Sequence, residues 1–128
     1  MKVLLDTNAF LRWVEDDAAL SKKARAAIAD ADNEILVSIV VPWELAIKSG
    51  QGKIKLSQPV GRYVASHVEA NGFRLLGIEL DDVALIEKLP LHHRDPFDRL
   101  LIAQAKIRKL PVVSSDLAFS SYGIKRIW

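Results

Sequence analysis

Val3-Leu4-Leu5-Asp6-Thr7-Asn8 is an apolar run that stops abruptly at three residues able to cap a helix. Three consecutive branched aliphatic residues read as a buried strand, and the side chains of Asp, Thr and Asn can each accept from the free N–H groups of a first helical turn. The spacing therefore predicts a strand passing directly into a short helix over Ala9 to Val14, with a carboxylate at the junction. Pro111-Val112-Val113-Ser114-Ser115-Asp116 repeats this grammar near the other end of the chain: a fourth apolar strand over Pro111 to Ser114, an acid, and a short helical turn from Leu117 to Tyr122.

The segments between these two junctions keep the alternation. Ser21 is placed to cap a helix over Lys22 to Asp30, in which Ala24, Ala27 and Ile28 recur at the spacing of one buried face. Glu34 to Val37 reads as a second strand. Ser38 is expected to cap a helix that runs to about Lys48, with Pro42 near its first turn and Gly50 and Gly52 ending it. Val60 to Ala70 forms an amphipathic helix closed by Gly72, and Phe73 to Ile78 a third strand. Asp81 or Asp82 should start the next helix. Asp95-Pro96 opens another by the rule that pairs an aspartate cap with proline at the first helical position, and this helix stays apolar on more than one side to about Arg108. Gly123 to Trp128 is a final extended segment. Short apolar strands alternating with helices imply an α/β fold, a parallel sheet covered on both faces, because each parallel crossover needs a long connection. Ligands in such sheets bind beyond the carboxyl ends of the strands, where Asp6 and Asp116 fall.

Bulk properties narrow the classes of function. At 128 residues and 14.3 kDa, with half of its residues hydrophobic, the chain is expected to form one domain over 1–128. A formal charge of +2 and a pI near 9.0 fit a nucleic-acid partner without requiring one. The absence of Cys removes thiol catalysis, Cys-ligated zinc and disulfides, and suits a reducing, cytoplasmic location. The first ten residues do not have the basic leader and apolar stretch of a signal peptide. The longest apolar stretch, Ile35 to Trp43, is interrupted by Ser38 and Pro42 and is much shorter than the ~20 residues of a spanning helix. No Ser–His–acid arrangement can be inferred from spacing, and Gly50-Gln51-Gly52-Lys53 lacks the spacing of a phosphate-cradling loop.

Four acids carry the chemical signal: Asp6, Glu44, Asp98 and Asp116. Each has an ordinary alternative. Asp6 and Asp116 could simply cap helices, and Asp98 could sit behind the Asp95 cap for the ~0.3–1 kcal/mol a carboxylate gains from the helix dipole. Glu44 could form a surface pair with Lys48, worth only ~0.2–0.5 kcal/mol. Val40, Val41 and Ile47 share its side of the helix, however, so its carboxylate should face the body of the protein or a cleft, where burial is costly without a cation. No such cation is obvious from the sequence. His92 and His93 lie in a proline-flanked polar loop and read as exposed residues or phosphate contacts rather than metal ligands. Trp13, Trp43 and Trp128 read as core or interface anchors.

With these residues in view, the chain resembles a PIN-domain ribonuclease, in particular the VapC-like toxins of toxin–antitoxin operons. Asp6-Thr7-Asn8 resembles the family's first acidic motif, Trp43-Glu44-Leu45-Ala46-Ile47-Lys48 the second, Asp98 within Asp95 to Ala105 the third, and Ser114-Ser115-Asp116 the fourth. The resemblance covers nearly the whole chain, and the long third motif, in order with the others, makes it specific. It implies a Rossmann-like three-layer fold, Mg²⁺ or Mn²⁺, an RNA substrate, homodimerisation and a neutralising antitoxin. Hard oxygen donors suit the same ions on chemical grounds. Asp6 and Asp98 are expected to be ligands, and Glu44 and Asp116 to complete the catalytic cluster. Thr7, Asn8, Lys48, Arg99 and Ser114 are candidates for supporting the acids or holding substrate backbone, as are Arg12, Lys53 and Arg94. A small-molecule metal-dependent phosphohydrolase and a catalytically silent nucleic-acid or protein interaction module are the alternatives, since both can carry acids at strand ends.

Overall fold

Strands and helices alternate as the sequence suggests in a computed structural model that describes residues 1–128. In chain order they are β1 (Lys2–Leu5), α1 (Thr7–Val14), α2 (Lys22–Ala29), β2 (Glu34–Ser38), α3 (Val40–Gly50), α4 (Val60–Asn71), β3 (Arg74–Leu76), α5 (Leu80–Ile86), α6 (Pro96–Arg108), β4 (Val112–Val113), α7 (Ala118–Ser121) and β5 (Arg126–Ile127). The five strands form one sheet in the order β3-β2-β1-β4-β5, and every pairing is parallel. The final extended segment thus supplies a fifth strand.

Register explains the three layers. Val3 pairs with Ile35 and Leu5 with Val37, while Leu5 also pairs with Val113 and Val113 with Ile127. These residues share one face of the sheet and pack with Phe10 of α1, Ala24 and Ile28 of α2, and Tyr63, Val64 and Val68 of α4. Leu4, Leu36 and Val112 alternate to the opposite face, against Leu101, Ile102 and Ala105 of α6 and Phe119 of α7. Side chains in a strand alternate with period two, so a run apolar at every position is buried on both sides. α3 lies at the seam, sending Val41 and Leu45 to the first core and Val40 to the second.

Several local expectations change in detail. The Ser38 hydroxyl accepts from Val40 N–H at 3.1 Å, but the residue that precedes α3 is Ile39, and the helix continues through Gly50. β3 keeps only three residues of the six expected, as befits an edge strand paired on one side alone. α5 begins after Glu79, and Asp82 is its third residue, accepting from Glu79 N–H at 2.9 Å. Asp82 is fully buried and takes the Arg108 guanidinium as a fork, at 2.7 and 3.1 Å. Burial alone would raise its pKa; the Arg108, Glu79 and Gln104 donors outweigh that and hold it below the usual range. Gln104 links this pair to Gly77 O and to the Ser38 hydroxyl, so one polar chain ties α5 and α6 to the end of β2.

β1 is the switch point of the sheet. The chain runs outward from it through β2 and β3 on one side, and β4 and β5 lie on the other. The crevice beyond the carboxyl ends of β1 and β4 is where an open α/β sheet offers a binding site.

Candidate active site

Asp6 leaves β1 and Asp116 follows β4, and both cap the helix that comes next. Asp6 Oδ1 accepts from Ala9 N–H at 2.7 Å, and Asp116 Oδ1 accepts from Ala118 N–H at 2.9 Å. Capping uses one oxygen of each carboxylate, and the other oxygen of Asp116 meets the His93 ring, so capping does not exhaust either residue. The Ser114 hydroxyl lies between the two strand ends: it accepts from Asp116 N–H at 3.0 Å and is close enough to the Asp6 carboxylate to lower its pKa.

Two helices complete the cluster. α6 starts at the Asp95 cap, whose Oδ1 accepts from Phe97 and Asp98 N–H, and this fixes Asp98 in the first turn. Glu44 in α3 is 5% exposed; Thr7 donates to its Oε1 at 2.6 Å and Lys48 to its Oε2 at 2.5 Å. The inward placement of Glu44 and its pairing with Lys48 therefore hold together. The bond to Glu44 outweighs the desolvation of Lys48 and raises the pKa of its ammonium group.

The acids feel one another. Burial raises the Asp6 pKa from 3.8 to about 6 against the Ser114, Ala9 and Arg12 interactions that lower it, and Glu44 adds to the rise. Burial raises Asp98 to about 7, with Asp95, Asp6 and Glu44 pushing the same way and His93 opposing them. Carboxyls driven towards neutrality by burial and by like charge form a donor set that a hard divalent cation would relieve. Oxygen donors alone suit Mg²⁺ or Mn²⁺ better than softer metals. None of the surface cavities is lined by these four acids; the largest, about 410 Å³, is lined by residues such as Lys2, Glu34 and Arg74 near the amino ends of the strands.

Four of the remaining candidates have defined partners. Lys48 is committed to Glu44. Arg99 is engaged within the fold: its guanidinium donates to the carbonyls of Pro90, His93, Ile86 and Leu89 and to the Tyr122 hydroxyl, so it holds the loop before α6. Arg12 lies over the Trp128 ring at 5.4 Å. Thr7 supports Glu44 as described. Asn8 is exposed in the first turn of α1, and Arg94 and Lys53 are exposed without an ion pair.

His93 is the residue sequence reasoning missed. Its Nε2 lies 2.9 Å from both Asp98 Oδ2 and Asp116 Oδ2. With Lys48 on Glu44, this corrects the expectation of four acids without an internal partner. A histidine two residues before an Asp-Pro helix start is the only local signal, and it says nothing about an acid 23 residues further on.

The loop carrying His93 is held by Tyr122. Its hydroxyl donates to Pro90 O at 2.6 Å and accepts from His92 and His93 N–H at 3.0 and 2.9 Å. Tyr122→Phe leaves these N–H groups and the carbonyl without that partner and is expected to cost about 2 kcal/mol. Urea unfolding would measure it, and an unchanged midpoint would assign no such role to the hydroxyl.

The aromatic anchors divide. Trp13 is half-buried against the first core and donates to Asn71 at 3.0 Å. Trp43 is 45% exposed and meets Phe97 edge to face at 4.7 Å, beside Glu44 and Asp98. Ile39 and Ile47, also exposed, continue its stripe along α3.

Comparison with known proteins agrees with this architecture. The family model described as PIN domain matches residues 3–125. A comparison with curated proteins finds no match. Among solved structures, a chain of VapBC2 from Rickettsia felis, bound to a DNA fragment from its promoter, is similar with a TM-score of 0.70, 14% identity and full coverage of both chains. A chain of FitAcB from Neisseria gonorrhoeae gives 0.68 and 17%, covering 97% of this chain and 95% of that one. VapBC from Salmonella typhimurium, also bound to DNA, gives 0.68 and 17%, covering 98% and 96%. At these identities the likeness is one of fold. No helix is long and apolar enough to cross a membrane.

Proposed function

Because this chain belongs to the PIN-domain family, we propose that it is a Mg²⁺- or Mn²⁺-dependent endoribonuclease, the toxin of a toxin–antitoxin pair. The observation that carries the reading is the convergence of Asp6, Glu44, Asp98 and Asp116 at the switch point of the sheet, with Asp6 and Asp98 pushed up to about 6 and about 7. A divalent cation bound there would neutralise the cluster and steady charge on the scissile phosphate and the leaving oxygen.

Asp6 and Asp98 are the residues that would hold the ion. Glu44, fixed by Thr7 and Lys48, forms the inner wall. Asp116 has the most open side chain of the four, 41% exposed, and is best placed to orient the attacking water. Exposed Arg94 and Lys53 remain available for the substrate backbone. No enclosed cavity is lined by the four acids, whereas a small phosphate ester is usually held in a concave pocket. That geometry weighs against a small-molecule phosphohydrolase, and the strained acids weigh against a silent module.

A cognate antitoxin would cover this site and present Arg or Lys to Asp98 or Asp116, since Glu44 already has Lys48. The exposed stripe of Ile39, Trp43 and Ile47 supports a homodimer, which light scattering at micromolar concentration would reveal. The central test is cleavage of a structured-RNA panel with Mn²⁺ and with chelator. Internal cuts only in the presence of metal are expected. Chelator-insensitive cleavage, or hydrolysis of p-nitrophenyl phosphate with every RNA left intact, would overturn the reading.

A further inference from the structure

His93 is held more firmly than a surface loop residue has reason to be. Its backbone N–H donates to Tyr122, its carbonyl accepts from Arg99, and its ring Nδ1 accepts from Asp95 N–H at 3.1 Å. The ring contact turns the Nε2 edge towards the cluster. The third contact matters most for chemistry: a nitrogen that accepts from an amide bears the lone pair, so in the neutral ring the proton sits on Nε2. Nε2 is the atom 2.9 Å from both Asp98 Oδ2 and Asp116 Oδ2.

Taken only as a set of donor atoms, His93, Asp98 and Asp116 form a possible three-ligand metal site, their atoms lying within 4.8 Å of one another. The Asp95 contact argues against histidine as one of the ligands. A ring nitrogen that bears a proton has no lone pair for an ion, and the nitrogen that has one is occupied by Asp95. We propose that His93 is a positioning residue: its Nε2–H donates to Asp116 while the same ring edge lies 2.9 Å from Asp98 Oδ2, so that it sets the spacing of the two carboxylates, and it does not itself ligate the ion. This rests on the metal-dependent reading above. The α6 cap is part of the same device, since Asp95 fixes Asp98 through its side chain and the His93 ring through its backbone.

The tautomer can be read without any metal. Long-range ¹H–¹⁵N correlation spectra of the metal-free protein at pH 8 should show His93 protonated at Nε2 with an unprotonated Nδ1; the opposite tautomer would overturn the proposal alone. Mn²⁺ binding, followed by room-temperature electron paramagnetic resonance, should weaken about 10- to 100-fold in His93→Ala, the usual loss when an outer partner of a ligand is removed. His93→Gln, whose amide can still donate to Asp116 and lie against Asp98, should recover most of that affinity. Pulsed spectra of the Mn²⁺-loaded wild type should show no coupling from a coordinated imidazole nitrogen. A coupling that His93→Ala abolishes would make His93 a ligand, and unchanged affinity in folded His93→Ala would remove the positioning role. If the wild type binds no Mn²⁺ at all, the metal-dependent reading fails, and with it His93's role towards the ion, whichever tautomer is seen.

Discussion

Asp6→Asn and Asp98→Asn are each expected to yield a folded protein whose RNA cleavage falls by at least about 100-fold, beyond the 10- to 100-fold that loss of an outer partner costs. Asparagine keeps the shape and, at Asp6, the ability to accept from Ala9 N–H, so the helix start survives while the charge is removed. Asp95→Asn is the control. Its side chain is engaged by Phe97 and Asp98 N–H, a duty asparagine performs nearly as well, and its backbone N–H to His93 is untouched. Most activity should remain. Glu44→Gln should also lose cleavage, because the Lys48 pair and the inner wall of the cluster go with the charge. Near-normal cleavage by folded Asp6→Asn and Asp98→Asn proteins would sink the metal mechanism, whatever the fold.

The second large effect is on stability, and its sign follows from the raised carboxyls. For an acid whose pKa is higher folded than unfolded, the folded state holds the extra proton. The stabilisation is complete below the unfolded value and is lost as pH rises through the folded one. For Asp6 that window runs from 3.8 to about 6, and for Asp98 from 3.8 to about 7. The Asp6 rise corresponds to about 3 kcal/mol, or roughly 10 °C in melting temperature for a chain of this size. Metal-free Asp6→Asn should therefore melt about 10 °C above wild type at pH 8, and the gap should close towards pH 4. Mn²⁺ should stabilise the wild type more at pH 8 than at pH 5.5, because protons and the cation compete for the same oxygens, and should leave Asp6→Asn nearly unmoved. Melts across this range read both effects. A gap that does not vary with pH would show that Asp6 is not strained by its charge.

What could be read in the sequence was encoded over a few neighbouring residues. A strand buried on both faces needs an unbroken apolar run, which Val3 to Leu5 and Val112 to Val113 provide. A helix start needs an acceptor three or so residues before its first free N–H groups, which Asp6, Ser21 and Asp95 provide. The alternation of these units determined a parallel sheet covered on both faces and placed Asp6 and Asp116 at its carboxyl edge. The inward carboxylate of Glu44 was legible too, from the apolar residues on its side of the helix.

Contacts across the chain decided the rest. Asp82 looked like a helix start because its charge suits one, but Arg108, 26 residues away, takes it into the interior. Arg99 looked like a phosphate contact until the carbonyls around it accounted for its donors. His93 reaches Asp116 only because the sheet puts β4 beside β1 and because Tyr122 and Arg99 fold the preceding loop onto that edge. Capping and periodicity act over three or four residues and leave their trace in local spacing. A hydrogen bond between residues 23 apart is set by strand order and packing, and neither is written in the residues that make it.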